Sequence, residues 1–380
     1  MWLTIYAWCI TVGWLGVTLY VLIYSRKVAF LKDLPPVKGE AAPSVAVIIA
    51  VRNEEAEVEE ALSSVCALDY PAYTVLAVND RSTDRTPQIL AGMAARYPAL
   101  SLLTISELPD GWLGKNHALH QGYRATASEW MLFTDADVLF QPRALSKAVR
   151  YAEDHGFDHL VALPQIKSPS PVFMGVMNTF ALMLEVRQRP WAASNPASSA
   201  SLGVGAFNLV RRTAYEKVGG HEAISLRPDD DLKLGAHLKR AGFRQGVVYG
   251  NEEVSLQWYS SLAQFISGLM KNTFSIANYR WPVSLGMALL TLIVFVLPLP
   301  LLLLMGGEGI VLALVLLLSH IILLRYKRGS SGVWWHGLML PFAGAILVYI
   351  ILAATVKTLR QGGIYWRDHF YPLSELRKQR

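Results

Sequence analysis

The chain has 380 residues, is 53% hydrophobic and only 17% charged, and carries a net charge of +6. Soluble domains carry about 25% charged residues, so the composition excludes an ordinary soluble protein. Two cysteines, Cys9 and Cys66, are too few for a disulfide framework or a zinc site, and no basic stripe with interleaved aromatics marks a nucleic-acid binder.

Trp2–Tyr24 is a continuous apolar run long enough to cross a bilayer, and Arg26 and Lys27 follow it. It is too long for the core of a signal peptide, no basic segment precedes it, and no small-x-small site follows. Residues 1–25 are therefore expected to form a transmembrane helix. A polar block, residues 40–258, comes next. Three further apolar runs, Ser284–Met305, Gly309–Leu324 and Val333–Val356, predict a membrane region over 282–356 with two to three spans, then a basic tail at 357–380. Arg26 and Lys27, with Arg325, Lys327 and Arg328, put the polar block on the cytoplasmic face of a multi-pass protein of the cell (inner) membrane. The net positive charge suits anionic lipid headgroups. The tail's own basic residues favour the same side. That requires Trp334–Val356, interrupted by Pro341 and several glycines, to dip into the bilayer and return.

Within the polar block, Val45–Val51 reads as a strand buried on both faces, as in a parallel sheet. It ends in Arg52-Asn-Glu-Glu55, and a helix with apolar Val58, Ala61, Leu62 and Val65 follows. Thr74–Val78 is a second strand, running into Asn79-Asp-Arg-Ser-Thr-Asp84. A helix carrying Ile89, Leu90 and Met93 leads to a third strand, Leu100–Ile105. A glycine-punctuated loop ending in Gly114-Lys115 opens a helix over 116–127. Trp130–Phe133 is the fourth strand, a helix spans about 142–155, and Leu160–Leu163 is the fifth strand. Alternating strands and helices, with polar clusters at the carboxyl ends of the strands, predict a doubly wound α/β sheet with its ligand crevice at that edge.

The loops there carry the chemistry. Asp135 and Asp137 are two residues apart and extended backbone points both to one side. Side-by-side carboxylates repel unless a cation sits between them, and a hard divalent ion such as Mg²⁺ or Mn²⁺, bearing a ligand's phosphates, suits oxygen donors. Alone, the pair also fits a loop residue and a helix cap. Lys115 at a helix N-terminus is placed to reach a diphosphate, or is a solvated surface lysine. His117 and His120, three apart on that helix, lack a third nearby ligand. Asp229, Asp230 and Asp231 precede an amphipathic helix with Leu232, Leu234 and Leu238, and one of them caps it. Glu55 and Glu57 read as first-turn charges that complement a helix dipole.

Five ordered stretches carry a resemblance: Val47-Ile-Ile-Ala-Val-Arg-Asn-Glu-Glu55, Val78-Asn-Asp-Arg-Ser-Thr-Asp84, Gly114-Lys115 with Ala118-Leu119, Thr134-Asp-Ala-Asp137 and Asp229-Asp-Asp-Leu-Lys-Leu234. Over about residues 44–280 the chain resembles family 2 inverting glycosyltransferases of the GT-A fold. With its flanking apolar runs it looks most like the membrane enzymes associated with hopanoid synthesis and, more distantly, ceramide glucosyltransferases. Trp366-Arg-Asp-His-Phe-Tyr371 is similar to a tail motif of that group.

The resemblance implies a UDP-sugar donor and a lipid acceptor. It implies that Asn53, Glu54 and Asp80 meet the nucleoside and that Lys115 meets the diphosphate. Asp135 and Asp137 match the metal pair, with Asp135 placed as well to position the sugar. Aligning Leu234 with the family's Glu-Asp-x-x-Leu motif puts Asp231 at the general base and Asp230 at its acidic neighbour. Ser198–Gly205 and a strand over Ala206–Val210 face the acceptor, and Gly219-Gly-His-Glu222 opens a loop that could close over the donor. The family's processive members carry Gln-x-x-Arg-Trp where this chain has no complete match. An amphipathic helix within 259–281, bearing Phe265, Ile266, Leu269, Met270, Phe274 and Ile276, is expected on the membrane surface. Its Lys271 stands either for the missing arginine or for a headgroup contact. The expected activity is transfer of a single sugar. A processive polysaccharide synthase, or a non-catalytic lipid-binding or scaffold protein on a degenerate GT-A fold, are the alternatives.

Overall fold

The computed structural model describes residues 1–37, 42–168, 170–366 and 369–377, without the side chains of Lys271, Asn272, Trp366 and His369. Val28–Ile166 and Arg189–Gln257 form one unit; Met1–Lys27, Lys167–Gln188 and Trp258–Arg380 form another. The block 40–258 expected as one catalytic domain is therefore interrupted. Its residues 167–188 belong with the apolar segments, and Pro171–Gln188 is a helix that buries Phe173, Val176, Met177 and Leu182 there.

The first unit is α/β. Its strands are β1 (Ala29–Phe30), β2 (Val45–Val51), β3 (Tyr73–Asp80), β4 (Leu100–Ile105), β5 (Trp130–Thr134), β6 (Val138–Phe140), β7 (His159–Leu163), β8 (Gln165–Ile166), β9 (Asn208–Arg211), β10 (Gln245–Tyr249) and β11 (Val254–Leu256). Eight of them form one sheet in the order β1-β10-β7-β9-β5-β2-β3-β4. All neighbours are parallel except β9, which runs antiparallel between β5 and β7. The doubly wound, mostly parallel sheet expected of alternating strands and helices is the one that forms. The insertion of β9 is a non-local choice that its four residues do not announce. β6, β8 and β11 make a second, three-stranded sheet.

β2 is apolar throughout because helices cover both faces of a parallel sheet, and six of its seven residues are buried. The helix Gly114–Arg124 packs so closely that a Cβ on Gly122 would lie 2.4 Å from Ile48 Cγ2. Ile48, Val78, Ala118, Phe133, Tyr215, Leu234 and Leu238 form one core joining the sheet to the helices on this face. From β2 the chain moves outward to β3 and β4, then returns to β5 on the other side of β2. That reversal opens the crevice at the carboxyl ends of β2 and β5.

In the second unit, Trp2–Lys27, Gly307–Tyr326 and Trp334–Gln361 are each long and apolar enough to cross a membrane. A fourth candidate, Trp281–Val296 with Pro298–Leu304, is bent by 48°. The bend follows from a wide turn, in which Leu297 N donates to Leu292 O, running into Pro298, which has no N–H to donate. The dip expected of Trp334–Val356 is not what forms: Leu340–Gln361 is one helix. Pro341 sits in its first turn, where a missing N–H costs nothing. The helix Leu262–Ile276 exists, capped by Ser261. Its apolar face is not free for a membrane surface, because Phe265 packs edge-on against Phe173 and Phe180 and is buried with Leu269 and Phe274. Lys271 stands on this helix and its side chain lies outside the described residues, as do Arg367 and Asp368 of the tail motif.

Candidate active site

The crevice of the α/β unit gathers residues from five separated stretches. The helix with Lys115 starts at Gly114, two residues before the sequence pattern suggests. A Cβ on Gly114 would lie 2.2 Å from Asp80 Oδ2, so the helix start closes directly on the end of β3. Lys115 Nζ then reaches across to Asp135 Oδ1 at 2.7 Å and to Asp230 Oδ2 at 3.7 Å. Gly205 links the two acidic groups: its carbonyl accepts from Asp135 N at 3.0 Å, and its N–H donates to Asp231 Oδ2 at 2.8 Å.

That linking segment also meets the helix Asp230–Arg240 backbone to backbone. A Cβ on Gly203 would stand 1.8 Å from the Asp231 carbonyl oxygen, and one on Gly235, a turn further on, 2.0 Å from Leu202 O. Gln245 fixes Leu202 from the other side. It accepts from Leu202 N and donates to Leu202 O, each at 2.8 Å, and its Nε2 also meets His159 Nδ1 at 2.6 Å.

The charges are unequal in consequence. Burial works to lower the Lys115 pKa, but Asp135, Asp230 and Asp231 outweigh it and hold the ammonium above the ordinary lysine range. Burial, then the neighbouring Asp230 charge, push the Asp231 carboxyl up to about 7. Asp137 is also pushed up to about 7, by burial and by the charges of Asp135 and Glu54. Asp230 is raised by burial, against the pull of Lys115. His221, 3.9 Å from Asp230 and bonded to the Tyr215 hydroxyl at 2.8 Å, is held neutral, its pKa lowered to about 3 chiefly by burial.

The structure brings Lys115, Asp135, Asp230 and Asp231 into one cluster with Asp137 at its electrostatic border. It gives other predicted residues different surroundings. Asp80 is 3% exposed and accepts from Arg81 Nε at 2.7 Å and Nη2 at 3.1 Å, with Arg52 at 3.6 Å. Asn53 adopts a left-handed backbone, and its side-chain oxygen accepts from Thr83 N at 2.8 Å. It thereby ties the β2 loop to the β3 loop. Glu54 N donates to Thr86 Oγ1 at 2.9 Å. Glu55 is not a first-turn charge: it precedes the helix Val58–Cys66 and accepts from Arg85 N at 3.0 Å. Asp229 stands at the N-cap position of the helix Asp230–Arg240, but its side chain makes no capping hydrogen bond; Arg227 grips both its oxygens at 2.9 Å.

Asn116 is a residue that pattern reading passes over. Buried beside Lys115, it donates to Ile224 O, Ser225 O and Arg227 O at 2.9, 3.1 and 2.9 Å. It pins the loop that delivers the three aspartates. Its only sequence signal is a polar residue on the inner face of an amphipathic helix.

Among the described residues no three His, Cys, Asp or Glu side chains converge to enclose a metal ion. His117 and His120 instead pack against the Trp112 ring. The donor set does fit a divalent ion brought in on phosphates, which uses one or two protein carboxylates rather than a full cage. The raised Asp137 carboxyl, next to Asp135 and Glu54, is the position a cation would relieve.

The chain matches the family described as Glycosyl transferase family 2 over residues 46–219. Over those residues the chain is similar to the family 2 glycosyltransferases. The beta-monoglucosyldiacylglycerol synthase of Nostoc sp. (strain PCC 7120) is 28% identical over 230 residues, 60% of this chain and 47% of that protein, so the chain spans about half the length of that relative. The 4,4'-diaponeurosporenoate glycosyltransferase of Staphylococcus aureus (strain MRSA252) is 24% identical over 87% of this chain and 89% of its own. A mannosyltransferase from Pyrobaculum calidifontis, solved with GDP-Man and Mn2+, is 18% identical and shares the fold with a TM-score of 0.54, over 94% of this chain and 99% of that one.

Proposed function

We propose that the protein transfers one sugar from a UDP-sugar to the hydroxyl of a membrane lipid, inverting the anomeric centre. The observation that supports this best is the cluster of Lys115, Asp135, Asp230 and Asp231 at the carboxyl edge of the sheet. The lipid acceptor is favoured by the apolar helices and by the diacylglycerol named in one relative. In this reading the α/β unit faces the cytoplasm, on the strength of Arg26 and Lys27 after the first apolar run.

Asp80, Asn53 and Glu54 border the nucleoside, with Arg81 and Arg52 closing around Asp80. Lys115 presents its ammonium to the diphosphate at the helix N-terminus, where anions are favoured. Asp135 and Asp137 would hold a divalent Mg²⁺ or Mn²⁺ ion, which supplies neutralisation of the charge on the departing diphosphate. Asp231 takes the proton from the acceptor hydroxyl as that oxygen bonds to the anomeric carbon. The bond from the same carbon to the diphosphate oxygen breaks on the opposite face, and its electron pair leaves with the UDP. A carboxyl raised to about 7 suits a base working near neutrality. The Gly205 N–H and the helix behind Asp231 hold it in place.

The test is label transfer from a panel of nucleotide sugars into the organic phase, using the detergent-solubilised chain, a lipid extract and a chelator control. Asp231→Asn should cut transfer by roughly 100-fold or more while nucleotide binding persists. Loss of binding with retained turnover per bound donor would refute the role of Asp231, and labelled polymer would refute single transfer.

A further inference from the structure

Lys115 occupies an unexpected position for a diphosphate-binding lysine. Its ammonium is 2.7 Å from Asp135 Oδ1 and 3.7 Å from Asp230 Oδ2. Asp135 is one of the two carboxylates proposed to hold the divalent ion, so lysine and metal compete for one oxygen donor. Lys115 is 30% exposed and Asp135 40%, so both open onto the crevice and neither is locked in the core. Asp230 is only 8% exposed and stays behind as a permanent partner. Gly205 approaches the other Asp135 oxygen so closely that a Cβ there would fall 2.3 Å from Oδ2, and its carbonyl accepts from Asp135 N at 3.0 Å, which anchors the Asp135 backbone on that side. The lysine, a compact charge on a flexible four-carbon stem, is the partner better able to move.

We infer that Lys115 is an exchangeable counter-ion that couples metal and nucleotide binding. Without ligand it neutralises Asp135 and Asp230. When a nucleoside diphosphate arrives, Lys115 transfers its ammonium from the Asp135 carboxylate to a phosphate oxygen. Asp135 is thereby freed as an oxygen donor beside Asp137 at the moment the phosphates supply the remaining donors. Divalent ions should accordingly bind poorly alone and well with nucleotide, and the lysine itself should be the source of that synergy. This inference rests on the donor reading given above.

The test measures Mn²⁺ binding to the full-length, detergent-solubilised chain by loss of the free-ion paramagnetic resonance signal, alone and with saturating UDP or GDP. UDP and GDP binding are measured separately by calorimetry in the absence of metal. In the wild type, nucleotide should tighten Mn²⁺ binding at least tenfold. In Lys115→Met, Mn²⁺ alone should bind several-fold more tightly than to wild type, because its competitor is gone, and nucleotide should add less than threefold. Lys115→Arg, which keeps the charge, should retain most of the synergy. Wild-type binding of Mn²⁺ that is indifferent to nucleotide, while nucleotide itself binds, would overturn the exchange. So would full synergy in Lys115→Met. Absence of nucleotide binding in every form would instead sink the donor reading. The wild-type comparison stands even if a variant fails to fold.

Discussion

Gly203→Ala tests whether the proposed base is positioned by direct backbone contact. The added methyl would stand 1.8 Å from the Asp231 carbonyl oxygen and 2.4 Å from its carbon. Ordinary contact between such atoms is about 3.5 Å, so the Gly203 segment and the helix must part by more than about 1 Å. The obstructing atoms are main chain in the first turn of the helix Asp230–Arg240 and cannot rotate away. Overpacking costs about 1–3 kcal/mol, and rigid neighbours put this site at the upper end. For a unit of this size that is a fall in melting temperature of roughly 5–10 °C. Displacing Asp231 by about 1 Å should also slow transfer by on the order of 100-fold. Gly92→Ala is the control. Gly92 lies in the helix Thr86–Arg96 with nothing within 4 Å of an added Cβ. That change should raise stability by about 0.5–1 kcal/mol and leave the rate alone. Thermal melts of the solubilised full-length chain and initial transfer rates decide the matter. If Gly203→Ala melts and turns over like the wild type, the segment and the helix are not in contact and the positioning argument fails.

Other consequences are equally direct. Asp231 works as the carboxylate and its pKa is raised to about 7, so transfer should fall about tenfold per pH unit below that value; Asp230→Asn removes a neighbouring charge that raises it and should move the midpoint of the pH–rate profile downward. An unmoved midpoint would assign the titration to another group. Asn116→Ala removes its hydrogen bonds to the Ile224, Ser225 and Arg227 carbonyls, two of which keep backbone donors, and should destabilise the α/β unit by about 1–2 kcal/mol, read as a lower denaturant midpoint. In the apolar unit, Lys327 Nζ meets Glu185 Oε1 at 2.6 Å with side-chain exposures of 4% and 12%. Glu185→Leu should cost about 3–5 kcal/mol, and adding Lys327→Met should recover part of that loss, because the penalty lies in burying one charge without the other. A double variant less stable than the single one would contradict this.

The apolar runs, the strands at Val45–Val51 and Leu100–Ile105 and the acidic loops beyond the strand ends could all be read from the chain itself. Such features are written locally: burial on one or both faces imposes a period of two or 3.6, and a loop at a sheet edge frees polar residues to serve a ligand. That is why the crevice could be located before its walls were known. Contacts between distant backbones carry no such period. The antiparallel β9, the transfer of residues 167–188 to the apolar unit and the grip of Asn116 on carbonyls 108 to 111 positions away are set by packing between remote segments. Local signals also name only one partner where a side chain has two open to it. Lys115 reads as a phosphate ligand, yet in the folded chain the nearest negative charge is Asp135, because folding brings the end of β5 beside the start of the helix Gly114–Arg124. The residue types thus specify which chemistry is available at the crevice. Only the tertiary structure decides which of those charges face one another, since electrostatic pairing depends on distances that close-packed, non-local contacts create.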